Sequence, residues 1–168
     1  ETGVIYNNKC SRLLMKALYD TTISSTEKST LLGLSLKYCD SSILTYNRWI
    51  EEWGFLTPQE ITEKLTPFMR NDDPALAHHF EKIFARRVKN LVMAQLETPR
   101  RLSVSLTNKG TIYRHLMKPD SSLLFYREAL LLWDDNRTAK SNLNVLTGGN
   151  PLKTSVIESL FPPDKNRK

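Results

Sequence analysis

The feature that most constrains the fold of this chain is a change in the spacing of its apolar residues near residue 91. Before that point leucines, isoleucines and aromatic residues recur every three or four positions, the period of helices that bury one face. The next segment alternates instead, with Leu102, Val104 and Leu106 on one face and Pro99 preceding them in a turn. This pattern predicts a mainly α-helical protein with one small β-hairpin at residues 92–106.

Several helix starts are marked by capping residues. Thr57 is followed by Pro58 and, at the third position, by Glu60, which together predict a capping box with proline at the first helical position. Ser24 is a predicted N-cap of an earlier helix. Further boundaries are predicted at the turn Asp40-Ser41-Ser42, at a capping Thr107, and at Pro119.

Positive charge is concentrated in one part of the chain. Residues 81–118 contain nine basic and two acidic residues, a net charge of +7 against +6 for all 168 residues. Lys82, Arg86 and Lys89 recur at i, i+4 and i+7, on one side of a long predicted helix. Such a concentration attracts polyanions, although a solvated basic helix face would have the same composition.

The order of predicted elements is helix, capped helix, turn, long basic helix, hairpin and helix. This is the order of a winged helix-turn-helix, in which a recognition helix enters the DNA major groove and a two-stranded wing follows the adjacent backbone. We therefore predict a DNA-binding domain at residues 44–118. N-terminal helices at residues 1–43 and C-terminal helices at residues 119–168 would flank it and form a homodimer.

Two segments resemble a known family of regulators. Residues 55–65 resemble the positioning helix of the multiple-antibiotic-resistance (MarR) family, and residues 100–110 resemble its wing; PadR-type regulators end their wing in a similar way. The recognition-helix start of the family is replaced by an acidic connection at residues 66–74. The resemblance implies a cytoplasmic, homodimeric transcription regulator that binds double-stranded DNA sequence-specifically, with room for a small-molecule effector of unknown identity.

The winged-helix interpretation predicts which side chains contact DNA and which form the dimer. Arginines at a wing tip would reach a phosphate or the minor groove. The predicted DNA-binding residues are Lys82, Arg86, Lys89, Arg100, Arg101, Ser103 and Lys109. The predicted dimer faces are Leu13, Leu14 and Leu18 near the N-terminus and Leu124, Leu131 and Leu132 near the C-terminus.

Other chemistries find little support in the residue pattern. The three histidines lack a neighbouring nucleophile or acid in a catalytic arrangement, and no phosphate-binding glycine loop is present. His78 and His79 are adjacent on a predicted helix and therefore point about 100° apart, which disfavours a shared metal ion. We predict no enzymatic activity, no cofactor, no metal and no membrane partner.

Two alternatives remain open at this stage. One is a plasmid or phage replication initiator, because these proteins also use winged helices to bind repeated sites. The other is a secreted helical interaction protein or cytokine-like bundle. Its support is a Glu1-Thr2-Gly3 start that resembles a secretion-vector remnant, the glycosylation acceptor Asn136-Arg137-Thr138, and two cysteines, Cys10 and Cys39, that are either disulfide-bonded or buried thiols.

Overall fold

A computed structural model describes residues 2–68 and 77–152, and within these ranges the chain forms helices joined by short connections. Helix α2 packs between α1 and α4, α5 packs along α4, and α6 contacts both α5 and α4. The helices are α1 (Thr2–Tyr19), α2 (Ser25–Trp53), α3 (Pro58–Leu65) with a following 3₁₀ turn (Thr66–Phe68), α4 (Ala77–His115), α5 (Pro119–Leu132) and α6 (Arg137–Leu146).

Helices α1 and α2 form an antiparallel pair around a small core. Cys10, Leu14 and Ala17 lie at i, i+4 and i+7 on α1 and are buried against Leu32 and Cys39 of α2. A disulfide joins Cys10 to Cys39, with 5.3 Å between their Cα atoms. The pair therefore combines apolar packing with a covalent link across 29 residues of sequence.

Small residues bring α1 close to α2. Ser42 donates a hydrogen bond from its hydroxyl to the Gly3 carbonyl at 2.9 Å, and a Cβ on Gly3 would lie 2.6 Å from the Tyr46 ring. Gly3 is thus buried within α1, which begins at Thr2. Thr2 and Gly3 are therefore part of the fold.

The predicted β-hairpin wing is absent from the described part of the chain, which contains no strand. Residues 92–106 instead lie inside the 39-residue helix α4, with Pro99 in its interior. The winged helix-turn-helix fold class is therefore wrong. The protein is all-helical in the described ranges, and Arg100 and Arg101 lie along a helix rather than at a hairpin tip.

The burial pattern shows why this segment is helical. Leu102 and Ser103 are both buried, and so are Ser105 and Leu106, whereas a strand with one buried face would expose every second residue. The buried hydroxyl groups of Ser103 and Ser105 form hydrogen bonds within α4 or to other helices; Ser103, for example, donates to the Ala129 carbonyl at 2.6 Å. The apparent alternation reflects Leu102 and Leu106 at i and i+4, a spacing that fits either structure.

Predicted helix starts agree with the structure where they depend on local capping. Ser24 accepts a hydrogen bond from the Glu27 amide, Thr57 and Glu60 form the capping box, and α5 begins at Pro119. Two predicted boundaries are wrong, because the Asp40–Ser42 turn lies inside α2 and Thr107 lies inside α4. The predicted domain boundary at residues 43/44 also falls within α2.

The predicted helix start at residues 73–74 and most of the predicted last helix, residues 152–161, lie outside the described residues. No helix in the described ranges is long and apolar enough to cross a membrane.

Candidate interaction surface

One face of α4 carries an exposed row of cations with two apolar residues among them. The row continues the predicted Lys82, Arg86 and Lys89 with steps of four and three residues, so that all members lie on one side of the helix. We call this row the α4 strip: Lys82, Arg86, Lys89, Met93, Leu96 and Arg100.

The α4 strip is accessible along most of its length. Lys82, Arg86 and Lys89 are exposed, and Met93 and Leu96 expose 49% and 63% of their surface. From Lys82 to Arg100 the helix rises by about 27 Å. The strip thus offers both positively charged and apolar groups on one face, the two kinds of group that interfaces between macromolecules combine.

Packing on the other side of α4 holds the second half of the strip in place. Leu91, Thr98 and Leu102 are buried on the opposite face of the helix. Gln95 donates hydrogen bonds from its side-chain amide to the carbonyls of Trp53 and Leu56, both at 2.7 Å, and so ties α4 to the connection between α2 and α3. From residue 91 onward the strip therefore lies on a helix that is anchored from behind, whereas residues 79–90, which carry Lys82, Arg86 and Lys89, include no buried side chain.

Arg100 and Arg101 lie on different sides of α4. Arg100 pairs with Glu97 at 3.2 Å, and both side chains are more than one-third exposed, so this ion pair leaves donors free for a partner. Arg101 is exposed one residue further round the helix, next to Tyr46. Burial raises the pKa of the Tyr46 hydroxyl, and the nearby Arg101 charge opposes this rise.

The other two predicted DNA-binding residues are occupied within the protein. Ser103 is fully buried and also accepts a hydrogen bond from the Asn136 side chain at 2.8 Å. Lys109 forms a 2.7 Å ion pair with Asp40 and lies 4.4 Å from the centre of the Phe125 ring, on the side of α4 opposite the strip. Neither side chain shares a surface with Lys82, Arg86, Lys89 and Arg100.

The predicted dimer residues also separate into two groups. Leu14 is part of the core between α1 and α2, and Leu18 packs against that core. Leu124 and Leu131 on α5 are 53% and 87% exposed, so this half of the predicted face is accessible. The spacing of apolar residues in the sequence cannot distinguish the buried leucines of α1 from the exposed leucines of α5, because both sets recur at helical spacing.

The glycosylation acceptor is buried. Asn136 exposes 3% of its surface and donates hydrogen bonds from its side-chain amide to Ser103 at 2.8 Å and to Thr107 at 2.9 Å. Its side-chain oxygen accepts from the Ala139 amide at 3.0 Å and caps α6. In the folded protein the side-chain nitrogen of Asn136 is therefore occupied by hydrogen bonds within the protein.

Within the described residues no three His, Cys, Asp or Glu side chains converge as they would around a metal ion. Burial and the neighbouring charges of Arg114 and Lys28 lower the pKa of His115. His78 belongs to α4, but its side chain lies outside the described part of the structure, as do residues 69–76.

Comparisons with known protein families, with curated proteins and with solved structures find no match to this chain. The resemblance to MarR-type and PadR-type regulators thus has no support from these comparisons, and the function must be argued from the surfaces described above.

Proposed function

We propose that this protein is an interaction protein of an oxidising compartment, and that it binds an acidic protein partner through the α4 strip. The observation that carries the proposal is the combination of four cations with exposed Met93 and Leu96 on one face of α4. A partner with a matching acidic and apolar helix face would bury the two apolar residues and pair the cations at the rim.

The Cys10–Cys39 disulfide supports the choice of compartment. Structural disulfides persist in secreted proteins and in oxidising compartments, and they are rare in the cytosol. We therefore favour a secreted helical interaction protein over the cytoplasmic regulator that the sequence resemblance implied.

A second candidate is duplex DNA binding through the same surface. It is favoured by the spacing of Lys82, Arg86, Lys89 and Arg100, which places four cations along one helix face. A helix of this kind can contact phosphates without a wing. Phosphate contacts would make no use of Met93 and Leu96, however, and this difference separates the two candidates.

The experiment compares the binding of two probes to the same set of protein variants. The first probe is a synthetic amphipathic helix of leucine and glutamate, and the second is a short DNA duplex; binding of each is followed by fluorescence anisotropy over a range of salt concentrations. The variants are Arg86→Gln, which removes one strip cation, and Leu96→Ser, which removes an apolar contact. Leu131→Ser on α5 is the matched control, because Leu131 is also exposed and lies outside the strip.

We expect the acidic peptide to bind and Leu96→Ser to weaken it about tenfold, as expected for the loss of a largely buried leucine contact of about 1.5 kcal/mol. Arg86→Gln should weaken it as well, and Leu131→Ser should leave it unchanged. If the duplex binds, if Arg86→Gln reduces its salt slope by about 0.9, and if Leu96→Ser has no effect, the DNA candidate replaces the protein partner. Binding of neither probe would refute both.

A further inference from the structure

A second surface lies on the opposite side of α4, where α2, α4 and α5 enclose an open groove of about 380 Å³. Its walls are apolar, and a few polar side chains reach into it. This combination is typical of binding sites, in which polar groups orient an apolar ligand. The lining residues are Ile43, Asn47, Leu102, Leu106, Lys109, Phe125, Glu128, Leu131 and Leu132.

The two charged residues of the groove differ in how they are paired. Lys109 is neutralised by Asp40 at 2.7 Å and lies against the Phe125 ring. Glu128 is partly buried, and among the described residues no cationic group lies within ion-pair distance of its carboxylate. A carboxylate beside apolar walls without a cation attracts a positively charged group more strongly than one in open solvent.

The apolar surface continues beyond the groove onto its rim. Leu124 and Leu131 flank Glu128 on α5 at spacings of four and three residues and are 53% and 87% exposed. This extended rim suits an elongated partner better than a small molecule, which would leave the outer leucines in water.

We propose that the groove binds an amphipathic helix of a partner protein, with leucine-like side chains against Phe125, Leu131 and Leu132 and a lysine or arginine paired with Glu128. Charge complementarity selects this occupant, because the free charge in the groove is negative. The groove and the α4 strip thus have opposite preferences, one for basic and one for acidic helices. This inference does not depend on the proposed function of the strip.

The test uses a synthetic amphipathic helix of leucine and lysine, labelled for fluorescence anisotropy. The positively charged strip repels this peptide, so its binding reports on the groove. Glu128→Gln removes the negative charge and conserves the shape, and Leu131→Ser removes a rim contact. Leu96→Ser is the matched control in the strip. Sedimentation velocity of the protein alone, at the concentrations used, shows whether a second copy occupies the groove.

We expect Glu128→Gln to weaken the leucine–lysine peptide about tenfold, the usual effect of losing a charge-assisted hydrogen bond. Leu131→Ser should weaken it several-fold and Leu96→Ser should leave it unchanged, the reverse of the order expected for the acidic peptide. Absence of binding, or binding that neither groove variant changes, would overturn the inference. So would self-association that Leu131→Ser abolishes, because the occupant would then be a second copy. Each outcome is independent of whether the acidic peptide binds the strip.

Discussion

Replacement of Asn136 by alanine tests the contacts that attach α6 to the rest of the protein. The substitution removes two buried hydrogen bonds, to Ser103 and Thr107, and the cap on the Ala139 amide. Each buried hydrogen bond contributes about 1 kcal/mol and an asparagine N-cap about 1 kcal/mol, so the free energy of unfolding should fall by about 3 kcal/mol. For a chain of this size that lowers Tm by roughly 6–12 °C.

Thr138→Ala is the matched control for this experiment. Thr138 is exposed in the first turn of α6, so its substitution should change the free energy of unfolding by less than about 0.5 kcal/mol. Urea unfolding followed by circular dichroism measures both variants. If Asn136→Ala lies within about 1 kcal/mol of the parent protein, the Asn136 network does not hold α6 in place and our reasoning about these contacts fails.

The burial of Asn136 also gives a prediction about the glycosylation motif, which is tested on the parent chain. A glycan on the Asn136 side-chain nitrogen would compete with the bonds to Ser103 and Thr107, and 3% exposure leaves no room for it. When the chain is produced in a secretory host, we expect the folded fraction to lack a glycan at this position by intact-mass measurement. A folded, fully glycosylated protein would contradict the burial of this side chain.

Two further predictions concern the disulfide and pH. The double substitution Cys10→Ala/Cys39→Ala should lower the free energy of unfolding by about 3–4 kcal/mol, because the disulfide closes a loop of 29 residues; urea unfolding that shows no loss would refute this. Because burial lowers the pKa of His115 in the folded state, the unfolded state binds the proton first, and stability should fall as pH falls from about 7 through 6.5. His115→Gln should flatten this dependence of stability on pH. Asp20 and Glu60, whose pKa values are lowered in the folded state, affect stability only below about pH 4.5 and so do not contribute in this range. An unchanged slope in the His115→Gln variant would exclude His115 as its source.

Local chemistry predicted several element boundaries correctly, and the reason is that caps act over three or four residues. The capping box at Thr57 and Glu60 satisfies backbone amides of its own helix, so its signal is complete within the sequence window. The same holds for Ser24, while Pro119 favours the start of α5 because its φ suits the first helical position and its missing N–H needs no partner there. The turn predicted at Asp40–Ser42 failed because the decisive contact is distant: Ser42 bonds to Gly3, 39 residues away.

Prediction of the candidate surface was limited in the same way, because local residue spacing is visible in the sequence and contacts between distant residues are not. The spacing of Lys82, Arg86 and Lys89 is visible in the sequence, but its continuation to Arg100 depends on residues 92–106 being helical. That choice is made by tertiary packing. Gly110 allows the Tyr126 ring of α5 to approach α4, since a Cβ at this position would lie 2.7 Å from the ring, and no pattern within residues 92–106 reports this contact.

The buried serines explain why the alternation of residues 101–106 was misleading and why α4 accepts its neighbours so closely. A serine in a predicted strand is normally assigned to the solvent face, yet Ser103 and Ser105 are fully buried. Ser103 bonds to the Ala129 carbonyl and to Asn136, and Ser105 bonds to Asn7 and Ser42. Each serine thus connects α4 to a different neighbour, α5 and α6 in one direction and α1 and α2 in the other. Met93, Leu96, Leu124 and Leu131 lie on the outer faces of α4 and α5, away from these serine contacts, and the two proposed binding surfaces include them.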